Sequence, residues 1–531
     1  MSDYWQKRAI KAEKKVNDGA KQLEDVVVRA YRQAQDYITK QVAKLFTRTK
    51  QQTGLDEDEA KRMLNQTVPV AELVELRRLA KDVSNPELQK QAKQRLTGLA
   101  LKHRITRAED LKAKAYISAK QVADVQLEKQ TSFYIDTIHE LYKEATAESI
   151  IRDAQTSVEK GHEFKQLSTK SVENILDSHW KGSNYSKRLW GDTEALAKRL
   201  EELFTVEALT GMSDFKMAQA IASEFDRSIN VARRLIRTEA NYMANQGKLK
   251  AWKARGIEKY QILAILDLRT SEICQHQDHK VYLVEDAEVG VTMPPFHPWC
   301  RSIIGYYSER LVNTPRKAID PITGKTVDIK GDSIYDDWMD KLKELHSDDE
   351  IEKMKQKTIN LKTDSADYQK IKSILGKDAP KTLEDYQVLK YNGGRDWKLT
   401  KLDYQRRKRL TENQDLKLPN SSTATIDDRK FTEYLFGGKN DLGLIKGRLI
   451  TDKLGYSLDN YRDFKNQILA RANDYPVTIK RKNEFGTGYE QKMIMYGPDK
   501  KPINIVAGWS AKGNNTHLSS IMIKEAKNES K

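Results

Sequence analysis

The chain has only two cysteines, Cys274 and Cys300, and both fall between Asp267 and Ser302, together with three of its nine histidines, His276, His279 and His297. The arrangement is Cys274-x-His276, then twenty residues, then His297-x-x-Cys300. Thiolates and imidazoles are borderline-soft donors, and four of them suit tetrahedral Zn²⁺. The candidate ligands are therefore Cys274, His276, His297 and Cys300, with His279 or Asp278 able to take the place of His276. Cys-x-His is not a standard ligand spacing, and a free cysteine also packs as a small hydrophobe. A proximal thiol pair and ordinary core packing thus stay open beside the metal.

Both halves of this constellation must be brought together by the elements around them. Gly256 ends a helix, Tyr260 to Leu268 reads as an apolar strand, and a turn-rich stretch with Pro294, Pro295 and Pro298 precedes a second strand, Ile303 to Tyr307. Upstream, residues 1 to about 255 read as helix, since only Pro69 and Pro86 of the twelve prolines precede position 294. Leu23, Val27, Ala30, Ala34, Ile38, Val42 and Leu45 step by three and four, which gives a long helix one apolar face. A second stripe runs Val122, Val125, Phe133, Ile138, Leu141, and intramolecular helix packing is expected for both.

Downstream, residues 313–333 have the Pro, Gly and Lys content of a linker, and 334–415 read as short helices anchored by Trp338 and Trp397. Residues 421–428 form a second linker-like stretch. Phe431 to Leu454 and Tyr461 to Asn473 read as helices, followed by four alternating segments at 475–482, 491–497, 502–510 and 516–525. The expected fold is a mainly α N-terminal half with a small α+β module, and a separate C-terminal α+β domain of helices then an antiparallel meander. The expected boundaries are 1–199 helical, 200–310 module, 311–424 linker and short helices, and 425–531 C-terminal domain.

Composition narrows the function. A length of 531 residues predicts two to four domains. Ninety-three basic against 77 acidic residues give a net charge of +16, which favours a polyanion through phosphate neutralisation. Two cysteines exclude a disulfide scaffold and fit a reducing cytosol. The chain opens MSDYWQKRAIKAEKK, so neither a secretory signal nor a membrane partner is expected.

An ordered set of residues then points to a family. Arg237, Thr238, Glu239, Asn245 and Gly247 belong to one helix; Asp267, Arg269, Thr270, Cys274 and Asp278 follow; Pro294, Pro295, His297, Cys300 and Arg301 close the set. In that order they resemble the head-morphogenesis domain of tailed-bacteriophage minor head proteins, over roughly residues 200–310. Many members carry four cysteines, where this chain has Ser271 with Cys274 and Cys300 with Ser302; a glycine of the family pattern is His279 here. The resemblance implies a non-enzymatic role in procapsid assembly inside the virion, after synthesis in the host cytoplasm. Its implied partners are the portal, other head or scaffold proteins, and packaged DNA bound without sequence preference. Arg237, Glu239, Asp267 and Arg269 are expected to form an ion-pair network rather than an active site.

Two enzymatic readings compete. Asp278-His279 with His297-x-x-Cys300 is faintly similar to a metal-dependent HNH nuclease, but such a site needs ligands on a following helix, and here a strand and linker follow. The segment from Lys430 to Tyr461 resembles the opening of a small polymorphic-toxin-like domain, and helices followed by a meander resemble several ribonuclease toxins. That resemblance would make Lys480, Arg481, Glu484 and His517 a phosphate-binding and proton-transfer set, against a folded decoration domain with solvated charges.

Overall fold

Helix-forming sequence free of proline gives long helices here, and the longest three carry most of the first half. The computed structural model describes residues 2–49, 56–100, 105–155, 164–210, 212–307, 316–484, 486–497 and 501–525. By its contacts the chain divides into two units, Met1–Leu345 and His346–Lys531.

In the first unit, α1 (Ser2–Thr49) is followed by α2 (Glu57–Leu64), α3 (Val70–Lys81) and α4 (Pro86–Ala100), then by the 49-residue α5 (Arg107–Gln155). Next come α6 (Thr169–Leu176), α7 (Tyr185–Glu202), α8 (Val206–Leu209) and the 41-residue α9 (Asp214–Ala254). The α1 stripe does what its spacing predicts: Leu23, Val27, Ile38 and Val42 are buried in one cluster with Leu111, Val122, Ile138, Ile221 and Phe225. Helix α5 is buried around most of its circumference, polar residues included, which marks it as the central helix. Several of its buried polar groups pair with one another: Lys114 Nζ lies 2.9 Å from Asp110, and Gln130 Nε2 donates to Tyr134 Oη at 2.7 Å.

A small sheet caps this bundle. β1 (Lys259–Leu263) lies between β2 (Val281–Leu283) and β3 (Ile303–Tyr306), antiparallel to both, with α10 (Glu272–Gln277) preceding β2. The strand expected over 260–268 ends at Leu263, because the next amide, Ala264 N–H, donates to the Asp278 carboxylate at 2.9 Å instead of to a strand. A hairpin, β4 (Arg316–Ile319) and β5 (Thr326–Ile329), stands where a linker was expected, and α11 (Tyr335–Leu345) follows it. Its turn is made by Asp320 Oδ1, which accepts from Ile322 N–H at 2.8 Å, and by Gly324 at φ +72°. Residues 313–315 of the expected linker lie outside the described residues.

The second unit begins with α12 (Asp348–Ile359), α13 (Leu361–Leu375), α14 (Leu383–Asn392) and α15 (Gly394–Glu412). The stretch expected to be linker and short helices, 311–424, is thus shared between the two units. The helix expected from Phe431 to Leu454 is interrupted: a π-helical turn at Lys430–Leu435 is followed by α16 (Asp441–Leu454). Gly437 and Gly438 make the break, since a Cβ at either would lie within 2.2 Å of a backbone carbonyl oxygen. After α17 (Tyr461–Arg471) come β6 (Val477–Asn483), β7 (Gly486–Tyr496), β8 (Pro502–Lys512) and β9 (Asn515–Ile523), an antiparallel meander in the order β6-β7-β8-β9. The expected fold class is the observed one: a helical N-terminal half with a small α+β module, and a C-terminal sheet of four antiparallel strands.

One sheet face packs Met493, Ile505, Trp509 and Leu518 against α16 and α17 residues such as Ile450, Phe464 and Ile468. Helix α15 covers part of the other face through polar contacts. Asp403 accepts from Tyr475 Oη and, at 2.8 Å, from Tyr496 Oη. Arg406 donates to Asn504 Oδ1 at 2.7 Å, and Asp378 lies 2.6 Å from Arg407 and 2.8 Å from Arg471. Burial by itself would raise the Asp378 pKa, but Arg471 and Arg407 outweigh it and hold this carboxyl below the usual carboxylate range.

Candidate metal centre and its scaffold

Ser271 caps α10, its Oγ accepting from Cys274 N–H, so Cys274 sits one turn into a short helix with its thiol buried. Cys300 arrives from the opposite side on a turn in which its N–H donates to His297 O at 3.1 Å. The turn needs a left-handed residue, Trp299 at φ +66°, whose N–H donates to Thr238 Oγ1 at 3.1 Å. It follows a buried cis peptide between Pro294 and Pro295.

The result is a compact donor cluster of Cys274, His297 and Cys300, all ligand atoms within 4.8 Å of one another. The two sulfurs are 3.7 Å apart, and Cys274 Sγ is 3.1 Å from His297 Nε2. His297 Nδ1 lies 2.7 Å from Pro298 O; donating there leaves Nε2 unprotonated and aimed at the sulfur. Ser271 Oγ is 2.7 Å from the same Nε2, and Ser302 is buried just ahead of β3. Cys274 is the better thiolate: the hydrogen bond from Cys300 lowers its pKa to about 4 against its burial. Cys300, the donor of that bond, is correspondingly raised.

The spacing fits an ion. Zn–S of ~2.3 Å and Zn–N of ~2.0–2.1 Å imply tetrahedral edges of about 3.8 Å between sulfurs and about 3.6 Å from sulfur to nitrogen. The sulfur pair already has that separation, and the imidazole needs to withdraw by about half an ångström to complete it. Three protein donors would leave one position of a tetrahedral ion for another ligand.

Three residues considered as ligands lie elsewhere. His276 is exposed, its Nδ1 2.7 Å from Glu272 O one turn back. Asp278 is committed to Arg316, with contacts of 2.6 and 3.1 Å, and to Ala264 N–H. His279 adopts φ +61°, the conformation for which the family pattern has glycine. Burial, then the charge of Arg316, lowers its pKa, and among the described residues its Nε2 has no hydrogen-bond partner.

The remaining motif residues form the frame. Arg237 on α9 pairs with Glu24 and donates to Asn17 O of α1 at 3.1 Å. Glu239, 1% exposed, pairs with Arg188 of α7 and accepts from Trp180 Nε1 at 3.0 Å. Burial raises the Glu239 pKa although Arg188 opposes it. Asp267 takes a two-pronged contact from Arg301 at 2.6 and 2.7 Å and accepts from Arg269 N–H at 2.9 Å. Burial raises its pKa, but Arg301 and Arg269 prevail and the net shift is downward. Thr270 Oγ1 bonds Ile265 O and, at 3.1 Å, Asp267 Oδ1, while the Arg269 guanidinium reaches solvent.

Asn241 and Lys248 were not singled out in the sequence. With Asn245 they run along α9 at i, i+4 and i+7, and each bonds the backbone of the β3 segment. Asn241 Nδ2 donates to Ser302 O at 2.9 Å, Ile304 N–H donates to Asn245 Oδ1 at 2.9 Å, and Lys248 Nζ donates to Ile304 O at 3.1 Å. A polar stripe at helical spacing within an otherwise apolar segment was the available signal.

In the C-terminal unit, Lys480, Arg481 and Glu484 lie on or just after β6, and His517 on β9, the two outer strands of the sheet. Arg481, Gly488, Ser510 and His517 occupy one cross-strand row, with two strands between the outer pair. Lys480 Nζ is 3.2 Å from Glu490, and Glu484 is exposed in the β6–β7 turn.

Residues 193–304 match the family described as Phage Mu protein F like protein. That span holds the whole ordered motif from Arg237 to Arg301, so over this stretch the chain is similar to that family. Residues 417–522 match a domain of unknown function, DUF6883. No curated protein and no solved structure matches the chain. No helix among the described residues is long and apolar enough to cross a membrane.

Proposed function

We propose that this chain is a minor head protein of a tailed bacteriophage, working inside the capsid during procapsid assembly. It acts there with the portal and other head or scaffold proteins, and its +16 charge faces packaged DNA. The observation that carries this reading is the motif network: Arg237, Thr238, Glu239, Asp267 and Arg301, all inside the matched span, tie α1, α7, α9 and the Cys274–Cys300 loops into one frame. A Zn²⁺ held by Cys274, His297 and Cys300 would tie the two loops as the four cysteines of related modules would. Co-expression with a portal ring should give one shared size-exclusion peak. Separate peaks at micromolar concentration would refute the portal partnership.

A second reading, a C-terminal effector of ribonuclease type, draws on the placement of Arg481 and His517 in one row of the sheet. Cleavage of RNA that is abolished by His517→Ala would support it, and intact RNA after prolonged incubation would end it.

A further inference from the structure

Helix α15 covers only the part of its sheet face around Ile494, Asn504 and Tyr496. Alternation along the strands sets what the remainder of that face carries. Beyond the row of Lys492, Val506 and Met522, successive rows are Thr478, Glu490, Gly508 and Ser520; Arg481, Gly488, Ser510 and His517; and Asn483, Gly486, Lys512 and Asn515. No bulky apolar side chain stands in these rows. The glycines have a steric role: a Cβ on Gly488 would come within 2.8 Å of Arg481 Cγ and 3.1 Å of its Nε, and one on Gly508 within 2.5 Å of Ser520 Oγ. Their absence of side chains lets the Arg481 chain and the serine hydroxyl lie flat on the sheet. Arg481 is thereby carried inward from β6 over β7, toward Ser510 and the exposed imidazole of His517.

Charge names the occupant. On this face the strands hold three basic residues, Arg481, Lys492 and Lys512, against one acidic residue, Glu490, whose carboxylate Lys480 engages at 3.2 Å. The bared rows present a guanidinium, an ammonium, hydroxyls and an imidazole beside the Glu490 carboxylate, with no phenylalanine, tyrosine or tryptophan ring among them. We propose that this open half of the sheet binds the phosphodiester backbone of a nucleic acid, with Arg481 and Lys512 as the principal phosphate contacts and Ser510 and His517 as hydrogen-bonding groups between and beside them. Binding requires no cleavage, and it stands independently of the portal partnership.

The test uses the full chain and three fluorescein-labelled probes, a single-stranded DNA 20-mer, the RNA of the same sequence and the DNA duplex, followed by anisotropy. Arg481→Glu with Lys512→Glu is compared with a control reversal of two exposed lysines on α1, Lys21→Glu with Lys40→Glu. All four positions are exposed, and circular dichroism verifies that each variant melts like the parent. The sheet variant should bind at least ~10-fold more weakly at ~0.1 M salt, and its salt slope on single strands should fall by about 1.4, at ~0.7 per lost phosphate contact. The control should bind as the parent does. Equal weakening of both variants, or a sheet variant that binds like the parent, overturns the proposal, as does binding confined to one base sequence. A preference for the RNA over the DNA strand assigns the site to RNA, and equal affinity or a duplex preference assigns it to DNA.

Discussion

Gly247 gives a prediction whose sign depends on one distance. It lies on α9 where that helix crosses α5, and a Cβ there would come within 2.7 Å of Ile138 O and 3.3 Å of Tyr142 N. Both are backbone atoms of a central helix and cannot swing aside as a side-chain tip would. Helix propensity alone makes Gly→Ala favourable by ~1 kcal/mol in a helix interior. Forcing a methyl into a close-packed crossing costs about 1–3 kcal/mol, so Gly247→Ala should lose roughly 0–2 kcal/mol net, and Gly247→Val roughly 3 or more. Gly191 on α7 supplies the contrast, for nothing lies within 4 Å of its would-be Cβ. Gly191→Ala should therefore gain the propensity term undiminished. By calorimetry, at about 2–4 °C per kcal/mol, Tm of the first unit should rise for Gly191→Ala, fall or hold for Gly247→Ala, and drop by several degrees for Gly247→Val. If Gly247→Ala and Gly191→Ala raise Tm equally, the close approach of α5 and α9 is refuted.

The other expectations are brief. Cys274→Ser and Cys300→Ser should destabilise the first unit to a similar extent, with the double variant no worse than either, since partners in one site are not additive; elemental analysis should find about one zinc per chain, and unchanged melting after chelation of a metal-free protein would remove the ion. Arg188→Ala should cost ~3–5 kcal/mol by stranding the buried Glu239 carboxylate, whereas Arg188→Ala with Glu239→Gln should recover much of that loss in a denaturant titration. Because the pKa of Asp378 is lowered by folding, its contribution is present above the unfolded value of ~3.9 and is lost as pH falls through the lower folded value. Acid titration of the second unit followed by tryptophan fluorescence should therefore show a transition below about pH 4 that Asp378→Asn shifts or flattens. Glu239 has the opposite sign: its pKa is raised, so its contribution is full below ~4.3 and declines as pH rises through the folded value, a decline that Glu239→Gln should abolish.

Long periodic elements were legible because their burial pattern repeats every helical turn, as the α1 stripe shows. The meander was legible from alternation, and the pairing of Cys274 with Cys300 from the scarcity of both residue types. Legibility failed where a single polar contact overrides propensity. The Asp278 carboxylate ended β1 early, and Asp320 with Gly324 closed a hairpin in a segment with linker composition. Close backbone approach at Gly437 and Gly438 split one apparent helix into two. His276 shows the limit of spacing arguments: two residues from Cys274 on a helix, it points about 200° around the axis, away from the sulfur.

Helix α15 lies outside the span matched by DUF6883, yet it shields that span's polar interior. Arg471, Tyr475, Tyr496 and Asn504 all belong to the matched span, and they find partners in Asp378, Asp403 and Arg406, which precede it. A recombination event that joined a new gene at residue 417 would inherit those groups without their complements. The heritable cassette in this chain is therefore wider than the segment by which it is recognised, and a transplant onto another carrier has to begin upstream of Asp378 to arrive folded.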